Sequence, residues 1–277
     1  MCVKSTCPKK LGAREVFNKF TLLILLIVSV INFTSPYVYA KDNTKQEKID
    51  EFIKEEMSRN NIPGAAVTVT YKDKILFSKG YGKTSDNQKI TEYTKMPVAS
   101  LSKSFTALAV MQLVEMGQVK LDDPFIQYIP DFKLGDKRGE KITVRQLLNQ
   151  TSGLSDTVNP EMKVKKQPES LEEVVKNLQS VKLINSPGEK YHYHNPNYEV
   201  LAYLVEKVSG EKFSNYLESH IFKPLKMRDT FNVSNTNELR SNGNNLSKGY
   251  MFFFGVPISI NEPDWFVSGA AGIVSNA

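Results

Sequence analysis

Cysteine is almost absent from this chain. Its two cysteines, Cys2 and Cys7, both precede an apolar stretch at residues 22–31. Beyond residue 40 there is none, which excludes a disulfide framework, a thiolate metal site and a cysteine nucleophile there. Histidine is scarce too: His192, His194 and His220 are the whole set. His192 and His194 form an H-x-H pair that could begin a zinc site, but no nearby carboxylate pattern completes one. No metal and no other cofactor is expected. No Lys/Arg stripe interleaves with aromatics, so nucleic acid is not an expected partner. No internal repeat is visible.

The excess of basic charge is also less than it looks. The whole chain carries 36 basic and 30 acidic groups, net +6, but five of the basic groups lie in the first 40 residues. There, Lys4, Lys9, Lys10, Arg14 and Lys19 lead into the apolar stretch, and Val38 and Ala40 are spaced for signal peptidase. The apolar core falls short of the about 20 residues of a membrane span. Residues 1–40 therefore read as an export signal, with an uncleaved N-terminal anchor, and membrane association through it, as the alternative. Export places the rest at the outer face of the cell membrane or in the surroundings of a bacterial cell. Residues 41–277 suffice for one sizeable core, or a core with a subdomain.

Periodicity then divides those residues. Ile49, Phe52, Ile53 and Met57 make a helical stripe over 44–60, stopped at Asn61-Ile62-Pro63-Gly64. Residues 65–71 and 75–81 read as a hairpin turning at Lys72-Asp73-Lys74. A helix from Ser100 to about Glu115, stopped by Gly117, is apolar round most of its circumference, which predicts burial on all sides. Thr143 caps a short helix ending at Leu148. Residues 171–178, 198–208 and 213–222 read as helices, and residues 159–170 and 235–247 as loops. Two strands followed by many helices, without alternation, predict class α+β: an antiparallel sheet flanked by helices, with a mostly helical subdomain. Two strands are marginal alone, so more are required.

The chemistry is concentrated in two places. Ser100-Leu101-Ser102-Lys103 heads the apolar helix. A serine there sits among unpaired backbone N–H groups at the positive end of the dipole. Lys103, three residues on, lies one turn away on the same face and can reach the serine oxygen. The spacing alone proves little, since about two S-x-x-K matches are expected by chance. The second match, Ser209-Gly210-Glu211-Lys212, reads as a turn between helices. The other place is Tyr193-His194-Asn195, the one Y-x-N in the chain. Positive charge beside a phenol favours phenolate, which makes Tyr193 a general-base candidate. Asn195 can hydrogen-bond a lysine and a substrate carbonyl without adding charge. The plainer alternative is that Tyr193 and Asn195 only pack and cap the next helix, a task Asn197 could also perform.

Taken together, the segments resemble the serine β-lactamase-like family, which includes class C β-lactamases, low-molecular-weight penicillin-binding proteins and related esterases. Ile62-Pro63-Gly64-Ala65-Ala66-Val67 is similar to its first strand and Pro97-Val98-Ala99-Ser100-Leu101-Ser102-Lys103 to its first catalytic motif. Residues 142–154 resemble a hallmark segment, Tyr193-His194-Asn195 the second motif, and residues 222–227 and 269–275 later segments. The departures are Gln150 where His is usual, Lys226 where Gly is common and His194 where Ser is common. The resemblance implies Ser100, Lys103, Tyr193 and Asn195 as catalytic residues; His194, a departure flanked by two of them, is the substrate-contact candidate. It also implies a later strand with a third motif, Lys-Thr-Gly or His-x-Gly, supplying one oxyanion donor. The chain stops at Ala277 before any such strand, so the C-terminal strands are expected to be missing.

The expected function is an acyl-enzyme on Ser100 formed with D-alanyl peptides of peptidoglycan, β-lactams or small esters. The alternative is a non-catalytic envelope protein that keeps the fold to bind peptidoglycan or β-lactam.

Overall fold

The computed structural model describes residues 40–155, 170–233, 246–259 and 268–277. The predicted export signal and nearly all of the two predicted loops at 159–170 and 235–247 lie outside the described residues. Contacts divide the chain after Glu56. The described part of the first unit is helical and belongs to α1 (Ala40–Arg59). Its predicted stripe is shallow, since Phe52 is largely exposed.

The second unit, Met57–Ala277, begins at the end of that helix. Asn61 takes a left-handed φ of 53°, and Ile62 N–H donates to the Met57 carbonyl. The predicted hairpin follows as β1 (Gly64–Tyr71) and β2 (Lys74–Gly82), antiparallel from Gly64↔Gly82 to Tyr71↔Lys74 with a bulge at Val69/Thr70. The remaining strands are shorter. β3 (Met96–Pro97), β4 (Phe231–Asn232) and β7 (Ile273–Ser275) form an antiparallel sheet with β7 in the middle. β5 (Tyr250–Phe253) and β6 (Val256–Ser259) form a second hairpin. Strands of two residues carry no period to detect, so β3 and β4 have no signature in the sequence.

Among the described residues, five further α-helices follow: α2 (Ser102–Glu115), α3 (Val144–Leu148), α4 (Leu171–Asn177), α5 (Pro196–Ser209) and α6 (Phe213–Leu217). Thr143 caps α3 as predicted and makes a full capping box with Gln146. Ser209-Gly210-Glu211-Lys212 is a turn, with Gly210 at φ 73° ending α5.

One expectation is corrected. The prediction makes α2 the helix surrounded on all sides, yet Leu101 at its N-cap and Leu108 and Met111 within it are 69%, 43% and 43% exposed. The surrounded helix is α5, in which Asn197 to Val205 are all buried and which packs on α2, α3, α4 and α6. The inward face of α2 is instead Ser102, Lys103 and Thr106, continuing into Ala109, Val110 and Leu113. Polar groups can face inward there because each finds a partner. Ser102 Oγ accepts from Ile273 N–H at 3.0 Å, and Thr106 Oγ1 donates to the Gly269 carbonyl at 2.7 Å. These bonds tie the head of α2 to β7 and to the turn before it.

Candidate active site

Ser100 lies in a single 3₁₀ turn, Ala99–Leu101, that leads directly into α2. Ala99 is held at φ 46°. A non-glycine residue in that region costs roughly 1–3 kcal/mol and persists only where its surroundings impose it. Here they do. Val98 N–H donates to the Ile273 carbonyl just before the turn, and Ser102 is anchored to Ile273 just after it. The turn leaves Ser100 exposed while burying Lys103.

Four predicted residues converge on one point. Lys103 Nζ lies 3.2 Å from Ser100 Oγ, and the Tyr193 hydroxyl donates to the same Oγ at 2.7 Å. Lys103 also donates to Asn195 Oδ1 at 2.8 Å and to the Ala270 carbonyl at 3.0 Å. An ammonium has three N–H bonds, and these three acceptors use them all. Lys103 Nζ stands 4.8 Å from the centre of the Tyr193 ring and 5.8 Å from that of Tyr198. Its hydrogen-bond partners are all neutral oxygens, and the two rings lie beside it at a largely buried position. The same contacts bear on the capping alternative. Asn195 is the N-cap residue of α5, but its side chain makes no cap bond and goes to Lys103.

His194 does not join the cluster. The segment before α5 alternates: Tyr193 and Asn195 face Ser100 and Lys103, while the His192 and His194 rings stack on each other at 5.9 Å. His220 is on another element, against Tyr216 and Glu211. Among the described residues, no group of three or more His, Cys, Asp or Glu converges as a metal site would require.

Three buried polar groups behind the site are not among the expected site residues. Gln150, where the resembled family usually has His, is buried with φ 64°. Its Oε1 accepts from His194 N–H at 3.0 Å and from Asn197 Nδ2, and its carbonyl accepts from His192 N–H. Asn197 Oδ1 in turn accepts from Ser152 Oγ. Gln150 and Asn197 thus fix both ends of the segment bearing Tyr193. The third is Glu199, buried beside Gly269 and Ser268. Its partners are about 70 residues away in sequence, beyond the reach of any local pattern. Burial pushes its carboxyl above the usual range, against the opposing pull of the Ser268 hydroxyl and the Gly269 N–H.

A serine under a lysine and a tyrosine, on a mixed helical and antiparallel framework, is the arrangement expected of the resembled fold. The chain belongs to the Beta-lactamase family, whose model matches residues 49–277. It is 32% identical over 191 residues to "Protein flp" of Staphylococcus aureus (strain MW2), a match covering 68% of this chain and 38% of that protein. It is 30% identical over 185 residues to the "Putative penicillin-binding protein PbpX" of Bacillus subtilis (strain 168), covering 66% and 44%. Among solved structures, the octameric penicillin-binding protein homologue from Pyrococcus abyssi superposes with a TM-score of 0.68 at 27% identity, over 83% of this chain and 53% of that one. The chain thus spans about two fifths of the length of the curated relatives it matches.

Proposed function

We propose that this protein is an acyl-transferring serine hydrolase. The observation that carries the reading is the double contact on one oxygen: Ser100 Oγ lies 2.7 Å from the Tyr193 hydroxyl and 3.2 Å from the Lys103 ammonium. Ser100 attacks an ester or amide carbonyl, and its proton leaves as the C–O bond forms. Tyr193 and Lys103 act on that proton as a coupled pair. With all three Lys103 N–H bonds committed, Tyr193 in its phenolate form is the acceptor nearest to hand. The ammonium beside its ring supplies the positive charge that a phenolate requires. The same proton then passes to the leaving amine or alkoxide. Asn195 steers Lys103 and faces the substrate. The Ser100 backbone N–H, at the head of α2, serves as an oxyanion donor. Water or an acceptor amine completes the cycle by cleaving the acyl-enzyme.

The substrates that fit this reading are D-alanyl peptides of peptidoglycan, β-lactams and small esters. Two of the relatives are named for penicillin binding, which favours the β-lactams. An export signal at residues 1–40 would bring the domain to the cell envelope, where such peptides lie. His194 is kept as a substrate-contact candidate by its place between Tyr193 and Asn195 alone.

A fluorescent penicillin tests the reading. Covalent, detergent-stable labelling of the full chain is expected, and Ser100→Ala is expected to abolish it. Equal labelling of the alanine variant would remove Ser100 from the chemistry. A folded wild type that cleaves a chromogenic ester but resists penicillin would assign it to the esterases.

A further inference from the structure

We propose that Glu199 is a positioning residue: its buried carboxyl holds the turn 268–272 against α5 so that the Ala270 carbonyl completes the acceptor set around Lys103. The proposal rests on the serine hydrolase reading. It starts from a cost. Asn197 to Val205 are buried without interruption, and a carboxyl in such a run is destabilising unless it is bonded.

Its bonds all lead to one place. Glu199 Oε1 accepts from Ser268 Oγ, and Oε2 accepts from Gly269 N–H at 3.0 Å. Ser268 Oγ itself accepts from the N–H groups of Ala270 and Ala271, each at 3.1 Å. The carboxyl therefore fixes the turn through its hydroxyl and its backbone together. From that turn the Ala270 carbonyl reaches Lys103 Nζ. Glu199 also sits four residues after Asn195, on the same face of α5. One face of one helix thus governs two of the three oxygens around the lysine, Asn195 directly and Ala270 through Glu199. Gly269 makes the close approach possible: a Cβ there would lie 2.2 Å from the Tyr198 carbonyl oxygen. The turn has no slack with which to find the lysine by another route.

The test follows labelling of the full chain by a fluorescent penicillin over time at several concentrations, which separates the rate constant at saturation, the half-saturating concentration and the labelled fraction. In Glu199→Leu the rate constant is expected to fall about 10–100-fold, the worth of one hydrogen bond to a charged group. The half-saturating concentration should stay within about threefold, since Glu199 is buried behind the site and not placed against substrate. Glu199→Gln, whose amide oxygen can still accept from Gly269 N–H, should retain the rate within about threefold. A purely structural role would lower the labelled fraction and leave the rate of the folded molecules unchanged, and that result overturns the proposal. Should Glu199→Leu fail to fold, Ser268→Ala carries the test, because it removes the hydroxyl joining Glu199 to Ala270 and Ala271. The same loss of rate is expected, and a wild-type rate overturns the proposal. If the wild type neither labels with penicillin nor cleaves a chromogenic ester, the acyl-transfer reading fails and amide exchange decides the positioning claim alone. Exchange at residues 269–271 at least about tenfold faster in either variant supports it, and unchanged exchange overturns it.

Discussion

Tyr193→Phe removes one oxygen atom from the proposed site and little else. The hydroxyl lost is the one 2.7 Å from Ser100 Oγ, while the ring that lies 4.8 Å from Lys103 Nζ remains. Tyr193 is 47% exposed, so no buried group is orphaned. The stability change should stay within about 0.5 kcal/mol, or about 2 °C in Tm for a domain of this size. The chemical effect should be much larger. A positioned general acid–base group contributes about 10²–10⁴-fold, so acylation at saturating penicillin should slow by that factor. The half-saturating concentration should change by less than about threefold, because the hydroxyl acts on the proton and not on ground-state binding. Stopped-flow or quenched labelling measures both quantities, and a thermal melt supplies the control. A Tyr193→Phe variant that labels within about threefold of wild type, with an unchanged melt, would refute the reasoning, since Lys103 would then be sufficient.

Other perturbations test the framework. Arg138 donates to Asp136 and, with help from Leu183 N–H, holds its carboxyl down at about 2. A depressed carboxyl contributes stability above its unfolded value and loses it as the pH falls through the folded one. Asp136→Asn should therefore lower Tm at pH 6 and make little difference at pH 2; an equal loss at both would contradict the assignment. Gly269→Ala places a methyl 2.2 Å from the Tyr198 oxygen and 2.5 Å from Ala202 Cβ, so a loss of about 1–3 kcal/mol from overpacking is expected, with slower labelling. An unchanged melt would argue against the close contact. Gln150→Ala strips the acceptor from His194 N–H and Asn197 Nδ2. About 1–3 kcal/mol of stability should go with each buried donor left unpaired, read by denaturant titration, and Gln150→His should recover part of it.

The site was legible in part because its chemistry is written in short spacings. Ser100 and Lys103 are three residues apart, Tyr193 and Asn195 two, and each pair sits at the start of a helix that fixes its geometry locally. What joins the pairs was not legible. Asn195 is 92 residues from Lys103 and Ala270 is 167, and no periodicity reports such separations. The burial of α2 was misread for a related reason. Leu101, Leu108 and Met111 look like core and are exposed, whereas Ser102, Lys103 and Thr106 look like surface and are inside. Their inward placement depends on partners in β7 and the turn before it, which a hydrophobic pattern cannot weigh. Gln150 is visible in the sequence only as a departure from the resembled family and Asn197 only as a possible cap, each being an ordinary amide until its partners are placed. The hairpin and α3, by contrast, are specified by local turn and capping chemistry, and were read to within a residue or two.

The most direct measurement is the mass of the tryptic peptide covering residues 96–103 after the protein has met a penicillin. The account predicts that this peptide gains the whole mass of the drug, with fragmentation assigning the ester to Ser100. Saturable binding that leaves every peptide unmodified, or an adduct on any other residue, would contradict it.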